Sequence, residues 1–149
     1  MFTENQRFTQ WWLWTLLLGL DALVLYLLVF TSAADEGRGA LVFGVLIMLL
    51  LTLLFALFHL KTKISDESIE MNCFPFVRKK VNWSDVESAE VIDYGFVGGW
   101  GIRMLTSYGT VYNVKGRMGL YIKLKSQKWF LIGTQKADET KSFLEKIKA

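Results

Sequence analysis

Two apolar runs, Trp11 to Phe30 and Leu41 to Leu60, contain Asp21 as their only charged residue. Each holds 20 residues, enough at about 1.5 Å per residue to cross a hydrocarbon core of about 30 Å. Helices apolar on every face could instead be buried in a soluble protein, but that needs a larger chain to surround them. The runs therefore read as a transmembrane hairpin, with spans at about 11–31 and 40–60, joined by the polar link Thr31 to Gly39. Residues 61–149 are then left as one small domain.

The flanks orient this hairpin. Lys61 and Lys63 follow the second span, while the link carries Asp35, Glu36 and Arg38, so the positive-inside rule places the link outside and both termini in the cytoplasm. Trp11, Trp12 and Trp14 mark an interface at the start of the first span. Residues 1–10 read as a short, polar cytoplasmic tail. With little positive charge there, and no small-residue site after the first run, no cleaved signal peptide is expected. The expected location is the inner (cytoplasmic) membrane, multi-pass.

Composition separates the same two parts. Hydrophobic residues make up 52% of the chain, above the usual 45–50%, and the excess lies in the first 60 residues, whose formal charge is −2 against +5 for the remainder. Positive charge beside a bilayer has its simplest reading in anionic headgroups, and no nucleic-acid partner is expected. The single cysteine, Cys73, cannot form an intramolecular disulfide and fits a reducing compartment.

Asp21 lies near the middle of the first span, where an ionised carboxylate costs roughly 2.5–3.5 kcal/mol on insertion scales. Counting outward from the link brings Thr52 to about the same depth. Two readings stay open: a protonated Asp21 bonded to Thr52 or a backbone carbonyl, or a polar contact or proton site used with another membrane subunit. Gly19 and Gly44 could allow close helix approach, though neither belongs to a Gly-x-x-x-Gly pair. His59 falls at the cytoplasmic rim without a second ligand nearby.

Beyond Lys61 the period changes to two. Leu120, Ile122 and Leu124 alternate with Tyr121, Lys123 and Lys125, a half-buried strand with one wet face. Similar runs at 62–64, 68–74, 77–82, 86–94, 101–105, 110–115 and 128–132 are separated by turn residues and suit consecutive antiparallel hairpins. After Gly133-Thr134, residues Ala137, Thr140, Phe143, Leu144 and Ile147 fall at helical spacing, with Asp138 and Glu139 first and Lys146 and Lys148 last, as the helix dipole prefers. The expected module is α+β: an antiparallel, curved sheet of about seven strands, forming a partly open barrel, covered by one C-terminal helix.

Particular residues extend this pattern: Gly98-Gly99-Trp100-Gly101-Ile102-Arg103, Tyr112-Asn113-Val114-Lys115-Gly116 and Ile132-Gly133-Thr134-Gln135. With them the chain resembles small bacterial membrane proteins that carry a pleckstrin-homology-like domain behind two transmembrane helices. The resemblance covers most of residues 61–149 and implies that fold, but it carries no activity. Gln127-Lys128 departs from it, standing where a Gly is expected in the hairpin turn.

The loop around Phe96, Gly98, Gly99 and Trp100 offers aromatic surface on a glycine-rich backbone. It reads as a partner-binding or membrane-touching loop, or as a bulged connection in which Trp100 caps the core. No Gly-Lys-Ser/Thr follows, so it is not a phosphate cradle. Arg78, Lys79, Lys80, Arg117, Lys123 and Lys125 are the candidate contacts to anionic lipid, set against ordinary solvation of sheet edges. A specific inositide site is not expected, because Lys61 and Lys63 stand beside Asp66, Glu67 and Glu70.

No catalytic residues, metal ligands or cofactor are expected. His59 has no identifiable Ser/Asp partner, Cys73 reads as a buried hydrophobe, and Asp85, Glu87, Glu90 and Asp93 lack metal-ligand spacing. The function expected first is a non-enzymatic adaptor or regulatory subunit of a membrane complex. Its partners would be the lipid bilayer and a membrane protein or a second copy. An anionic-lipid-sensing module, and a small transporter or enzyme subunit using Asp21, are the alternatives.

Overall fold

The computed structural model describes residues 1–30 and 35–148. These fall into two compact units: Phe8–Phe58, and Met1–Arg7 together with His59–Ala149.

The first unit is a pair of helices, α1 (Trp11–Phe30) and α2 (Asp35–Leu57). Both are long and apolar enough to cross a membrane, with mean hydropathies of 2.2 and 3.0 over the apolar stretches. Their leucines stay largely exposed, and α1 buries only Leu13, Leu17 and Asp21. At the N-terminus of α1 the Gln10 carbonyl accepts the N–H groups of Leu13 (3.1 Å) and Trp14 (3.4 Å), satisfying donors that a helix start leaves open. The Trp14 indole N–H donates to the Phe8 carbonyl at 2.9 Å, and the Phe8 ring packs on Phe55 and Phe58 at 5.1 Å each. A Cβ at Gly19 would meet nothing, and one at Gly44 would make ordinary contact with Val24, so neither glycine marks a close approach between the two helices.

The helix limits differ from those expected. Asp35–Gly39, read as link, is helical, while Thr31–Ala34 lie outside the described residues. At the other end α2 stops at Leu57, and His59 and Leu60 open a strand rather than closing a span. From there Leu60, Thr62 and Ile64 alternate inward, and that period of two displaces the helix.

The second unit holds two sheets and a helix. In the first sheet β1 (Phe2–Arg7), β2 (His59–Ile64), β3 (Ser68–Phe74) and β4 (Val77–Asn82) pair antiparallel in chain order. The second has β5 (Val86–Asp93), β6 (Gly101–Thr106), β7 (Gly109–Asn113), β8 (Met118–Leu124) and β9 (Trp129–Gly133) in the order β5-β8-β9-β7-β6. Leu60, Ile64, Ile69 and Met71 from one sheet and Val111, Leu120, Ile122 and Leu131 from the other are fully buried, each contributing about 2 kcal/mol by leaving water. The final helix α3 (Ala137–Lys148) packs on β5 and β8, burying Thr140 and Leu144.

This architecture departs from a seven-stranded, partly open barrel in three ways. Among the described residues there are nine strands, in two sheets that do not close into a barrel. The connections are not all hairpins, since β8 inserts between β5 and β9 and β7 pairs parallel with β9. The N-terminal tail also contains a strand. Its outward residues are Thr3, Asn5 and Arg7, whereas Phe2, Glu4 and Gln6 are buried.

A polar seam fixes β1. Glu4 Oε2 accepts the Thr134 hydroxyl at 2.6 Å and Glu4 Oε1 accepts the Gln135 N–H at 2.8 Å. Gln6 donates to the Gly133 carbonyl at 2.7 Å and accepts from the Gln135 side chain at 3.3 Å. Each of these inward polar groups is therefore partnered, as burial requires.

Candidate functional site

The glycine-rich loop connects β5 to β6 through Gly95, Gly98, Gly99 and Gly101, all at positive φ, which glycine adopts without a Cβ penalty. Asn113 Nδ2 donates to the Gly99 carbonyl (3.3 Å) and to the Tyr94 hydroxyl (3.1 Å), and the Asp93 carboxylate accepts the Gly95 N–H at 2.9 Å. Val97 packs on the buried cluster of Tyr94, Val111 and Leu131. Burial pushes the Tyr94 phenol up, against the bond from Asn113. Phe96 is exposed, and Trp100 is half-buried. Gly98 and Gly99 shape the connection, and Phe96 alone presents a large apolar side chain from it to solvent.

The six basic residues singled out in the sequence do not form one patch. On the second sheet, Arg117 holds Asp93 through two bonds (2.7 and 2.9 Å), and Lys123 holds Glu87 at 2.8 Å. The Arg117 guanidinium, then the Gly95 N–H, keeps the Asp93 carboxyl below its ordinary range, and Glu87 raises the Lys123 ammonium. Lys125 extends past β8, its N–H bonded to the Asp85 carbonyl. Arg78, Lys79 and Lys80 lie on β4. Arg78 and Lys80 face outward, while the Lys79 ammonium sits 4.6 Å from the centre of the Phe130 ring and 5.1 Å from that of Tyr112, within cation–π range.

Register assembles a different surface. Across the first sheet Arg7 pairs with His59 and His59 with Phe74; Asn5, Lys61, Asn72 and Arg78 form a second row; Thr3, Lys63, Glu70 and Lys80 form a third. The outer face thus carries Arg7, Lys61, Lys63, Arg78 and Lys80, with His59 stacked on Phe74 at 5.2 Å and Glu70 as its one acid. Glu70 bonds Lys80 at 3.0 Å, and that ammonium, helped by Lys63 and Arg78, keeps its carboxyl below the ordinary value. Asp66 and Glu67 lie in the β2–β3 turn, away from these rows. The signal available in the sequence was hairpin symmetry about Ser65-Asp66-Glu67 and Pro75-Phe76, which brings Lys61 beside Arg78's row and Lys63 beside that of Lys80.

In the helical unit Thr52 Oγ1 donates to Asp21 Oδ2 at 2.8 Å; Asp21 Oδ1 is buried with no partner among the described residues. No group of three His, Cys, Asp or Glu residues that could hold a metal occurs among the described residues. Cys73 is fully buried, and burial pushes its thiol up to about 11, so the thiolate is scarce at neutral pH. Compared with protein-family models, curated protein sequences and solved structures, the chain matches none of them.

Proposed function

We propose that the chain is a non-enzymatic, multi-pass protein of the bacterial inner membrane. Its cytoplasmic module, pleckstrin-homology-like in its run of strands followed by one helix, rests on anionic lipid and acts there as an adaptor or regulatory subunit of a membrane complex. The observation that carries this reading is the basic outer face of β1–β4, which begins at Arg7 and His59. Those paired residues are also where the chain leaves for α1 and returns from α2. Hydrogen-bonded strands lie on one side of any bilayer that the two intervening helices cross, which supports a common side for both flanks, and the positive-inside rule makes that side the cytoplasm. Five cations against Glu70 leave a net charge of +4, excluding His59. At about 1 kcal/mol per charge near the surface, this is about 4 kcal/mol before screening.

The test uses full-length protein in nanodiscs and the rate of amine acylation at Lys61 and Lys63. In phosphatidylglycerol-containing discs both amines should react several-fold more slowly than in phosphatidylcholine discs, with Lys141 on α3 unchanged. The contrast should vanish near 1 M salt, where the Debye length is about 3 Å. Equal rates in the two lipids would overturn lipid engagement, and repeated purification of the protein alone in mild detergent would overturn the adaptor role.

A further inference from the structure

A groove of about 920 Å³ opens between β4, the β6–β7 hairpin and the β8–β9 hairpin, within the volume range of ligand sites. Its rim carries Arg78, Lys79, Lys80 and Lys128, and no acid lines it. Among these cations only Lys80 has an ion-pair partner in the described residues, Glu70. Its walls expose Met104, Leu105 and Trp129.

Leu105 breaks two local rules at once. It is 101% exposed, and its φ is +61°, a left-handed backbone that suits glycine or asparagine and strains a branched apolar side chain. The ladder between β6 and β7 is interrupted at this point, between Arg103 and Thr106. A large apolar side chain kept in solvent on an unfavourable backbone stabilises nothing in the fold, and such outliers concentrate at binding surfaces. Alongside it runs β4, one of the two terminal strands of its sheet, with one edge left open for another strand.

From these features we infer that the groove docks an extended segment of a partner protein, alternately apolar and acidic, which adds a strand to the free edge of β4. Strand addition obtains affinity from the main chain and specificity from alternate side chains. Here the apolar set would meet Leu105 and Trp129, and the acidic set the cations of the rim, with Lys128 outside any ion pair or ring contact among the described residues. A protein occupant is favoured over a lipid by the open backbone edge of β4, because its N–H and C=O groups can be satisfied by another main chain and not by acyl chains. The inference rests on the adaptor reading and gives its partner a chemistry.

The probe is a fluorescein-labelled decapeptide of alternating Glu and Val, titrated onto full-length protein in phosphatidylcholine nanodiscs, with the Lys and Val decapeptide as control. The acidic peptide should bind saturably and the basic one should not. Leu105→Asn and Lys128→Glu should each weaken binding at least tenfold. Leu105→Asn should at the same time raise the unfolding temperature, because asparagine tolerates the backbone, so its loss of binding is separable from misfolding. The inference is overturned if either variant binds the peptide as the parent does, if the acidic peptide fails to bind, if an anionic single-chain lipid takes the groove in its place, or if the groove proves to pair two copies through Leu105. Lys61 and Lys63 lie outside the groove, so their lipid protection persisting after such a failure would remove the docking site and leave the membrane-module reading in place.

Discussion

Replacing Glu4 with alanine should loosen the module at its N-terminal strand by about 3 kcal/mol. Two hydrogen bonds to a buried carboxylate are lost, at 2.6 Å from Thr134 and 2.8 Å from Gln135, and bonds to charged groups are worth about 1.5–3 kcal/mol each. The low end applies, because Thr134 Oγ1 has a second neighbour in Thr140 Oγ1 at 3.3 Å and the Gln135 N–H is only part-buried. Amide hydrogen exchange on the full-length protein reads the effect locally: segments 2–7 and 130–136 should exchange on the order of 100-fold faster. Glu4→Gln gives a finer test. Its amide oxygen can accept the Gln135 N–H, and its NH₂ can donate to Thr134, whose proton then turns to Thr140; the Thr140 proton already goes to the Lys136 carbonyl at 2.9 Å. Every donor of the parent keeps an acceptor and only the second amide N–H of the new side chain is left without one, so exchange should stay within about tenfold of the parent. An alanine variant exchanging within threefold of the parent, or a glutamine variant as impaired as alanine, would refute the reasoning.

Four other perturbations have defined outcomes. Because Arg7 and His59 are antiparallel partners, replacing residues 8–58 with an Asn-Gly turn should give a soluble monomer by size exclusion, whereas residues 61–149 alone, lacking β1, should aggregate through the open edge of β2. Gln127 has a φ of +61°, so Gln127→Gly should stabilise by about 1 kcal/mol, a rise of roughly 5 °C in unfolding temperature; no rise would refute it. Asp93, held below its ordinary 3.8 by Arg117, contributes stability that is complete above about pH 4 and is lost as pH falls through its lower folded value. Arg117→Ala should therefore move the Asp93 titration up toward 3.8 by carboxyl NMR, and an unmoved midpoint would count against the pairing. Asp21→Asn retains an acceptor for Thr52 and should leave membrane yield unchanged, while Thr52→Val strips the Asp21 carboxyl of its bond and should lower it.

Much of the secondary structure was legible because its signals are local. The alternation at Leu120, Ile122 and Leu124, the turns that separate the short strands, and the helical spacing of Thr140 and Leu144 depend on neighbours within a few residues. The strand β1 was not legible for the opposite reason. Its inward positions after Phe2 are Glu4 and Gln6, which resemble a solvated tail until Gly133, Thr134 and Gln135 supply their partners. The parallel pairing of β7 with β9 is likewise non-local, since β8 must first leave for β5. The basic outer face followed from register, which adds Arg7 to Lys61 and Lys63 across one hairpin and Arg78 and Lys80 across the others. Leu105 resembled an ordinary strand residue because nothing in its neighbourhood marks a positive φ.

The division of the first sheet around the helical pair also imposes an order on biogenesis. The ribosome delivers β1 before its pairing strand β2, which follows only after residues 8–58, and its seam partners at Gly133–Gln135 come later still. A strand made early is thus locked late. On the two-span reading, a chain whose hairpin inserted with its ends on opposite sides of the membrane would strand β1 from β2 and expose the edge of an unfinished sheet to proteolysis. The completed module would then act as its own record of correct insertion, with the N-terminal strand as the final closure.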